Sequence, residues 1–175
     1  MITLRRERPA DVKAREALLD EAFGDTRYRK SSQRLRDGRL PAEGLSFIAA
    51  KGKRVIGTAR LWPVACASGQ LVLLLGPVAV AGDRRSQGIG AALVIHAIAE
   101  ARRFGHGAVI LVGDAPYYGR FGFSVEKTGR LRLPGPFERH RLLALELTPG
   151  ALESARGLIR AAGAIVAEPA VATAA

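Results

Sequence analysis

Two apolar runs, QLVLLLGPVAV at 70–80 and GAVILVG at 107–113, are separated by the helical stretch GIGAALVIHAIAEARRF at 88–104. This arrangement constrains the fold more than any other feature of the chain. The first run carries β-branched residues and reads as a central strand. The second is bounded by glycines and too short for a helix, so it reads as a buried strand. Between them Ile89, Leu93, Val94, Ala97, Ile98 and Ala101 recur at helical spacing. A helix crossing between two adjacent strands returns the chain to the same end of the sheet, so those strands pair in parallel.

The flanking segments add antiparallel pieces. ITLRRE reads as a first strand, and Pro9 opens the helical stretch PADVKAREALLDEAF, with Val12, Leu18, Leu19, Ala22 and Phe23 loosely on one face and Gly24 ending it. Residues 27–39 read as a short helix between loops. LSFIAAKGKRVIGTARLWPV reads as two strands joined at Lys51-Gly52-Lys53. SVEKTGRLRLPG suggests another hairpin, HRLLALELTP a last strand, GALESARGLIRAAG a closing helix, and the Ala-rich end from 167 a loose tail. The expectation is one α/β domain with a mixed sheet over 1–148, then a C-terminal helical extension and Ala-rich tail over 149–175.

Several function classes drop out early. A lone cysteine, Cys66, excludes an internal disulfide and a cysteine-based zinc site, and His96, His106 and His140 lie too far apart in sequence for a metal pattern. No metal is expected. No run approaches the ~18 apolar residues of a membrane span, and MITLRRERPA does not look like a signal peptide, so a cytoplasmic protein without a membrane partner is expected. The net charge of +11 favours anionic partners. No aromatic platform interleaves with the basic segments and no helix-turn-helix pattern appears, so no specific nucleic-acid partner is expected.

The turn AVAGDRRSQGIGAAL points to one class of anion. Arg85-Ser86-Gln87-Gly88-Ile89-Gly90 enters the long helix, whose first turn presents free N–H groups and the positive end of its dipole. Gly88 and Gly90 let a phosphate approach the backbone where a Cβ would collide. No Gly-Lys-Ser/Thr follows, so this is not a Walker A loop, and no acidic strand end follows to complete a dinucleotide fingerprint.

The stretch DAPYYGRFGFS at 114–124 follows the second apolar run directly, and it is too aromatic for a solvated loop and too glycine-rich for a core segment. Arg85-x-x-Gly88-x-Gly90 at the strand–helix junction, with Tyr118-x-x-x-Gly122-Phe123 further on, resembles the GNAT superfamily of N-acetyltransferases. Within it the Tyr-Tyr-Gly-Arg-Phe-Gly-Phe stretch is similar to a branch of small bacterial predicted acetyltransferases. The resemblance covers residue 1 to about 148, in element order as well as motifs.

The resemblance implies a mixed sheet whose central parallel strands, here 71–80 and 108–113, splay apart around the pantetheine arm of acetyl-CoA. Pro77, without an N–H and following Gly76, independently suggests that pairing is interrupted there. By the resemblance, the backbone of Val78, Ala79 and Val80 pairs with pantetheine, one of its N–H groups polarises the thioester carbonyl, and the loop Arg85, Ser86, Gln87, Gly88, Ile89, Gly90, Ala91 holds the pyrophosphate. Tyr118 matches the family's general acid. A phenol near pKa ~10 can protonate a departing thiolate near ~8.5 if held within hydrogen-bond reach. Gly119 and Gly122 would allow a tight turn that delivers it, Phe121 and Phe123 would pack underneath, and Tyr117 is the competing candidate.

Many relatives carry a glutamate base on the fourth strand, and LVLLLGPVAV has no acid. Asp83, Asp114 and Glu43 are the substitutes to consider, or water alone, and His96 reads as structural. The expected function is direct acetyl transfer from acetyl-CoA to a primary amine of a small molecule, with a protein amine as the other acceptor class. The alternative is a CoA-binding sensor or interaction module without turnover. Residues 27–39 carry Arg27, Arg29, Lys30, Arg34, Arg36 and Arg39 against Asp37 alone, so an acceptor amine that also bears an anionic group is expected, with Arg27 or Arg34 among its contacts. A homodimer is left open.

Overall fold

The structure is a computed structural model, and it describes residues 1–167. Strand β1 (Ile2–Arg6) leads through a turn at Pro9–Asp11 into helix α1 (Val12–Phe23), which Gly24 ends. Asp11 fixes that entry. Its carboxylate accepts the Arg8 N–H at 2.7 Å and a two-pronged contact from Arg5 at 2.6 and 2.8 Å. Two short 3-10 turns, Asp25–Arg29 and Ser31–Leu35, stand where one short helix was expected. Strands β2 (Ser46–Lys51) and β3 (Arg54–Cys66) form the expected hairpin.

The apolar run after it splits into β4 (Leu71–Leu75) and a two-residue strand β5 (Ala79–Val80), with Gly76-Pro77 at the break. Helix α2 (Ile89–Arg103) crosses to β6 (Ala108–Val112), and β4 and β6 are parallel as expected. Helix α3 (Ala115–Gly119), β7 (Leu131–Arg132), β8 (Leu142–Glu146) and β9 (Gly157–Ala161) complete the described chain. The nine strands make one mixed sheet in the order β1-β2-β3-β4-β6-β8, with β5 and β9 also paired to β3 and β7 to β9.

Period-two burial gives the sheet two covered faces. Leu73, Leu75, Val109 and Leu111 point to the face covered by α1 and α2, where Leu19, Leu93, Val94 and Ala97 pack on Phe47, Ile56 and Leu61. Val72, Leu74, Ala108 and Ile110 point to the other face, covered by Leu35, Leu131, Leu133, Leu152 and Ile159. Helix α2 sits close because Gly57 of β3 has no side chain: a Cβ there would lie 2.9 Å from Leu93 Cδ1 and 3.2 Å from Ile89 Cγ2.

Two expectations fail in the C-terminal third. SVEKTGRLRLPG is not a hairpin: Ser124 bridges Ala144, and β7 runs parallel to β9. The closing helix is a strand. β9 pairs antiparallel with Val64–Cys66 of β3, and Ile159 is fully buried, so 149–161 completes the sheet's second face rather than extending beyond it. The expected loose tail from 167 lies almost wholly outside the described residues.

Candidate active site

Strands β4 and β6 pair only at Leu73 with Val109 and Leu74 with Ile110. Beyond Leu74 they part, because Pro77 has no N–H to donate and β5 turns to β3 instead. Ala81 N–H donates to Ile56 O at 2.9 Å. Ladder alternation then directs the Ala79 N–H toward β3 and turns the Val80 N–H toward the open side. Of the three residues expected to pair with a bound arm, Val80 therefore presents its donor to the gap, Val78 lines the cavity, and Ala79 is buried against β3.

The predicted anion loop lies at the end of β5. Arg85, Ser86, Gln87 and Gly88 are exposed, whereas Ile89 is buried in the core and anchors the first turn of α2. Gly88 is the N-cap at φ +76°, and among the described residues no side chain caps the N–H groups of Ile89, Gly90 and Ala91. Those donors are free for an anion. A Cβ at Gly90 would sit 3.3 Å from the Tyr117 hydroxyl and 3.5 Å from Val80 Cγ2, so the loop, Tyr117 and β5 meet there. An open strand edge followed by uncapped helix donors fits an amide-bearing arm ending in a pyrophosphate. Alongside runs a second groove of about 510 Å³, lined by Ala91, Ile95, Arg102, Arg120 and Phe121 among others.

Tyr118 lies on a helix and not on the tight loop expected from its glycines. Asp114 caps α3 by accepting the Tyr117 N–H at 3.2 Å, and Pro116 fits the first turn of the helix. The Tyr118 ring packs against the backbone of Gly113, at the end of β6, and against Phe123, with ring centroids 6.0 Å apart. Phe123 is buried, in keeping with a supporting role; Phe121 is half-buried and meets Tyr117 edge-on, 5.6 Å between centroids. Burial pushes the Tyr118 phenol up to about 12, with Tyr117 adding to the rise and Arg141 opposing it. The phenol is thus protonated throughout the neutral range.

Tyr118 faces a cavity of about 640 Å³ at the mouth of the parted strands. Leu74 to Val78 form one side and Val112 to Asp114 another; residues 27–36 and 133–141 close the rest. Its charged lining is mostly cationic: Arg27, Lys30, Arg36 and Arg141 against Asp114 and Glu138. Lys30, an exposed residue whose ammonium lies over the Phe23 ring at 4.8 Å, lines this cavity. Burial, then Arg141 and Arg36, hold its pKa below the usual lysine value.

The other acids considered as bases are elsewhere. Asp83 is exposed and held by Arg54 through two contacts of 2.8 Å, and Glu43 is exposed, away from the cavity lining. Of those candidates only Asp114 lines the cavity; Glu138 does too and was not legible, since nothing in RLPGPFERH marks it as facing Tyr118. His96 packs edge-on to Phe47, 4.7 Å between centroids, a structural role as expected. Among the described residues no cluster of His, Cys, Asp or Glu is placed to hold a metal, and no helix is long and apolar enough to cross a membrane.

The acetyltransferase (GNAT) family model matches residues 12–123. The uncharacterized N-acetyltransferase YhbS of Escherichia coli K12 is 30% identical over 157 residues, 89% of this chain and 93% of YhbS. The crystal structure of Escherichia coli YhbS in complex with CoA is similar with a TM-score of 0.78 at 29% identity, over 92% of this chain and 89% of that one. A GNAT family acetyltransferase from Brucella melitensis, in complex with acetyl-CoA, gives a TM-score of 0.57 at 27% identity, over 83% and 96%.

Proposed function

The chain belongs to the GNAT acetyltransferase family, and from that membership we propose that it passes the acetyl group of acetyl-CoA directly to a primary amine, with Tyr118 as general acid. The observation that carries this reading is the Tyr118 ring packed on the end of β6, facing the cavity into which the parted strands open. The thioester supplies an activated acyl carbon. An N–C bond forms and the C–S bond breaks, while the amine loses a proton and the sulfur gains one.

Each chain residue then has a task. The N–H groups of Ile89, Gly90 and Ala91, with those of the exposed loop from Arg85 to Gly88, hold the pyrophosphate. Val78 and Val80 hold the arm, and one of their N–H groups polarises the acyl oxygen. Arg102 and Arg120 line the groove suited to the nucleotide end. Tyr118 donates its hydroxyl proton toward the departing sulfur. With a pKa near 12 it is never lost to ionisation at working pH, and its hydrogen bond matters most as thiolate charge develops.

The cavity wall supports catalysis without a strong base on β4. Desolvation in the cavity and its cationic surrounding both disfavour ammonium, so an incoming amine sheds its proton at a lower pH than in water, in the direction that burial, then Arg141 and Arg36, shift Lys30. Glu138, an exposed lining carboxylate that lies 3.3 Å from His140 Nε2, is assigned to take that proton through water, since Asp114 serves as the cap of α3 and accepts the Tyr117 N–H.

The bare strand β4 also favours a second reading, CoA binding without turnover. Thiol release from acetyl-CoA over a panel of primary amines separates the two. Turnover that falls in Tyr118→Phe supports transfer; tight acetyl-CoA binding with no amine-dependent release supports the binding module.

A further inference from the structure

Among the basic residues of the 27–39 segment, Arg29 and Lys30 are exposed, and the others are told apart by their burial and their partners. Arg27 is 7% exposed and its guanidinium is taken by Glu16 at 2.6 Å and Asp20 at 3.0 Å. Arg34 donates to Pro134 O at 2.9 Å, pinning the 134–137 segment, and is not part of the cavity lining. Arg141 reaches the carbonyl of Gly113. Arg36 differs from all of these. It is 8% exposed and lines the cavity, and among the described residues its one polar partner is Gln33 Oε1, 3.1 Å from Nε.

The unpartnered end of Arg36 is held in a defined place. Gln33 grips Nε while its own amide donates to Asp37 at 2.7 Å, so the neighbouring carboxylate is engaged by Gln33 and not by the guanidinium. Nη1 lies 3.6 Å from where a Cβ would stand on Gly76, at the point where β4 leaves β6. Behind it Arg60 is also 8% exposed, lies over Trp62 at 4.7 Å, and has an Nε without a partner among the described residues. A buried guanidinium without a contact ion pair destabilises a fold, and Arg36 and Arg60 lie close enough to repel one another, offset only at longer range by Asp37 for Arg36 and by Glu7 and Glu16 for Arg60. The planar fork of Arg36 matches a carboxylate or a phosphate two-pronged.

We propose that the acceptor is a bifunctional small molecule, an amine that also carries a carboxylate or phosphate, and that Arg36 seats the anion while the amine reaches the Tyr118 end of the cavity. This rests on the acetyl-transfer reading above. Lys30 and Arg141 add positive charge on the same wall, and a second ammonium on the acceptor would meet that wall unfavourably. Polyamines are therefore poor acceptors.

The test uses matched pairs: γ-aminobutyrate against butylamine, and phosphoethanolamine against ethanolamine, with wild type, Arg36→Met and Arg36→Lys. In wild type, kcat/KM favours an anionic member over its neutral partner by about tenfold or more, the scale of one charge-assisted contact. Whichever pair shows the preference names the anion. In Arg36→Met the ratio collapses toward one, mainly through KM, and Arg36→Lys restores part of it. No preference in wild type in either pair, or a preference that survives Arg36→Met, overturns the proposal. If no amine is acetylated, the transfer reading fails, and the anion seat is judged by binding alone. Titration with N-acetyl-γ-aminobutyrate and inorganic phosphate then decides: heat of binding lost in Arg36→Met supports the seat, and equal or absent binding in wild type and variant overturns it.

Discussion

Tyr118 lies against Gly113 so closely that a Cβ on Gly113 would stand 2.4 Å from Cε2 and 2.9 Å from Cδ2 of the ring. No real Cβ tolerates that approach, so the absence of a side chain on Gly113, the residue that follows β6, sets where the phenol lies. Gly113→Ala must move the ring. The expected result is a fall in transfer rate approaching that of Tyr118→Phe, with acetyl-CoA affinity retained and stability lowered by about 1–3 kcal/mol. Single-turnover kinetics and calorimetry check this together, and an unchanged rate would show that the ring position does not matter.

The anion loop calls for two different substitutions. Gly88 has open space around it but a left-handed backbone at φ +76°, so valine there would strain the loop whatever it did to a ligand. Asparagine accepts that conformation and should preserve acetyl-CoA binding. Gly90 has an ordinary backbone but little room, between Tyr117 and Val80. Gly90→Val should weaken acetyl-CoA binding about tenfold or more by blocking approach to the first-turn donors. Equal affinities in isothermal titration would contradict the loop assignment.

The pH dependence follows from the direction of two shifts. Lys30 is held below its usual pKa by the environment an acceptor amine would enter, so the midpoint of kcat against pH should lie below the free amine's pKa, because kcat reports groups in the bound complex. Arg36→Met should move that midpoint upward. Tyr118 should give no descending limb at neutral or mildly alkaline pH, its pKa being about 12. For stability the sign is the reverse of an ion pair's. Both states keep the phenol protonated below ~10, and between ~10 and 12 the unfolded chain alone ionises, so this residue lowers stability as pH rises through that window.

How much of this was legible varies with the length scale of the cause. The β4–α2–β6 crossover could be read because its apolar spacing is local and strong, and Pro77 announced the break in β4. The strand at Gly157–Ala161 could not, since GALESARGLIRAAG has helix-forming composition and becomes a strand only because the edge of β3 at Val64–Cys66 needs a partner. Tyr118 was legible from its motif. Gly113 and Glu138 were not, because their roles arise where β6, α3 and the 133–141 segment converge. Arg36 stood out from Arg27 and Arg34 only once their partners were visible.

Arg36 also gives a stability prediction that runs opposite to its proposed role. Replacing a buried, unpaired guanidinium by an apolar chain of similar volume should leave stability unchanged or raise it by about 1–4 kcal/mol. Denaturant melts of Arg36→Met in the absence of acceptor check this, and a loss of several kcal/mol would mean that the guanidinium is a structural group whose partner lies beyond Gln33.

Acetyl transfer through the Tyr118 hydroxyl is tested most directly by thiol release from acetyl-CoA with an anionic amine, comparing wild type, Tyr118→Phe and Tyr117→Phe. A positioned general acid is worth roughly 10²–10⁴ in rate. Tyr118→Phe should fall by that order with acetyl-CoA affinity unchanged, and Tyr117→Phe should fall far less. A Tyr118→Phe enzyme that matches wild type, or a larger loss in Tyr117→Phe, would contradict the assignment.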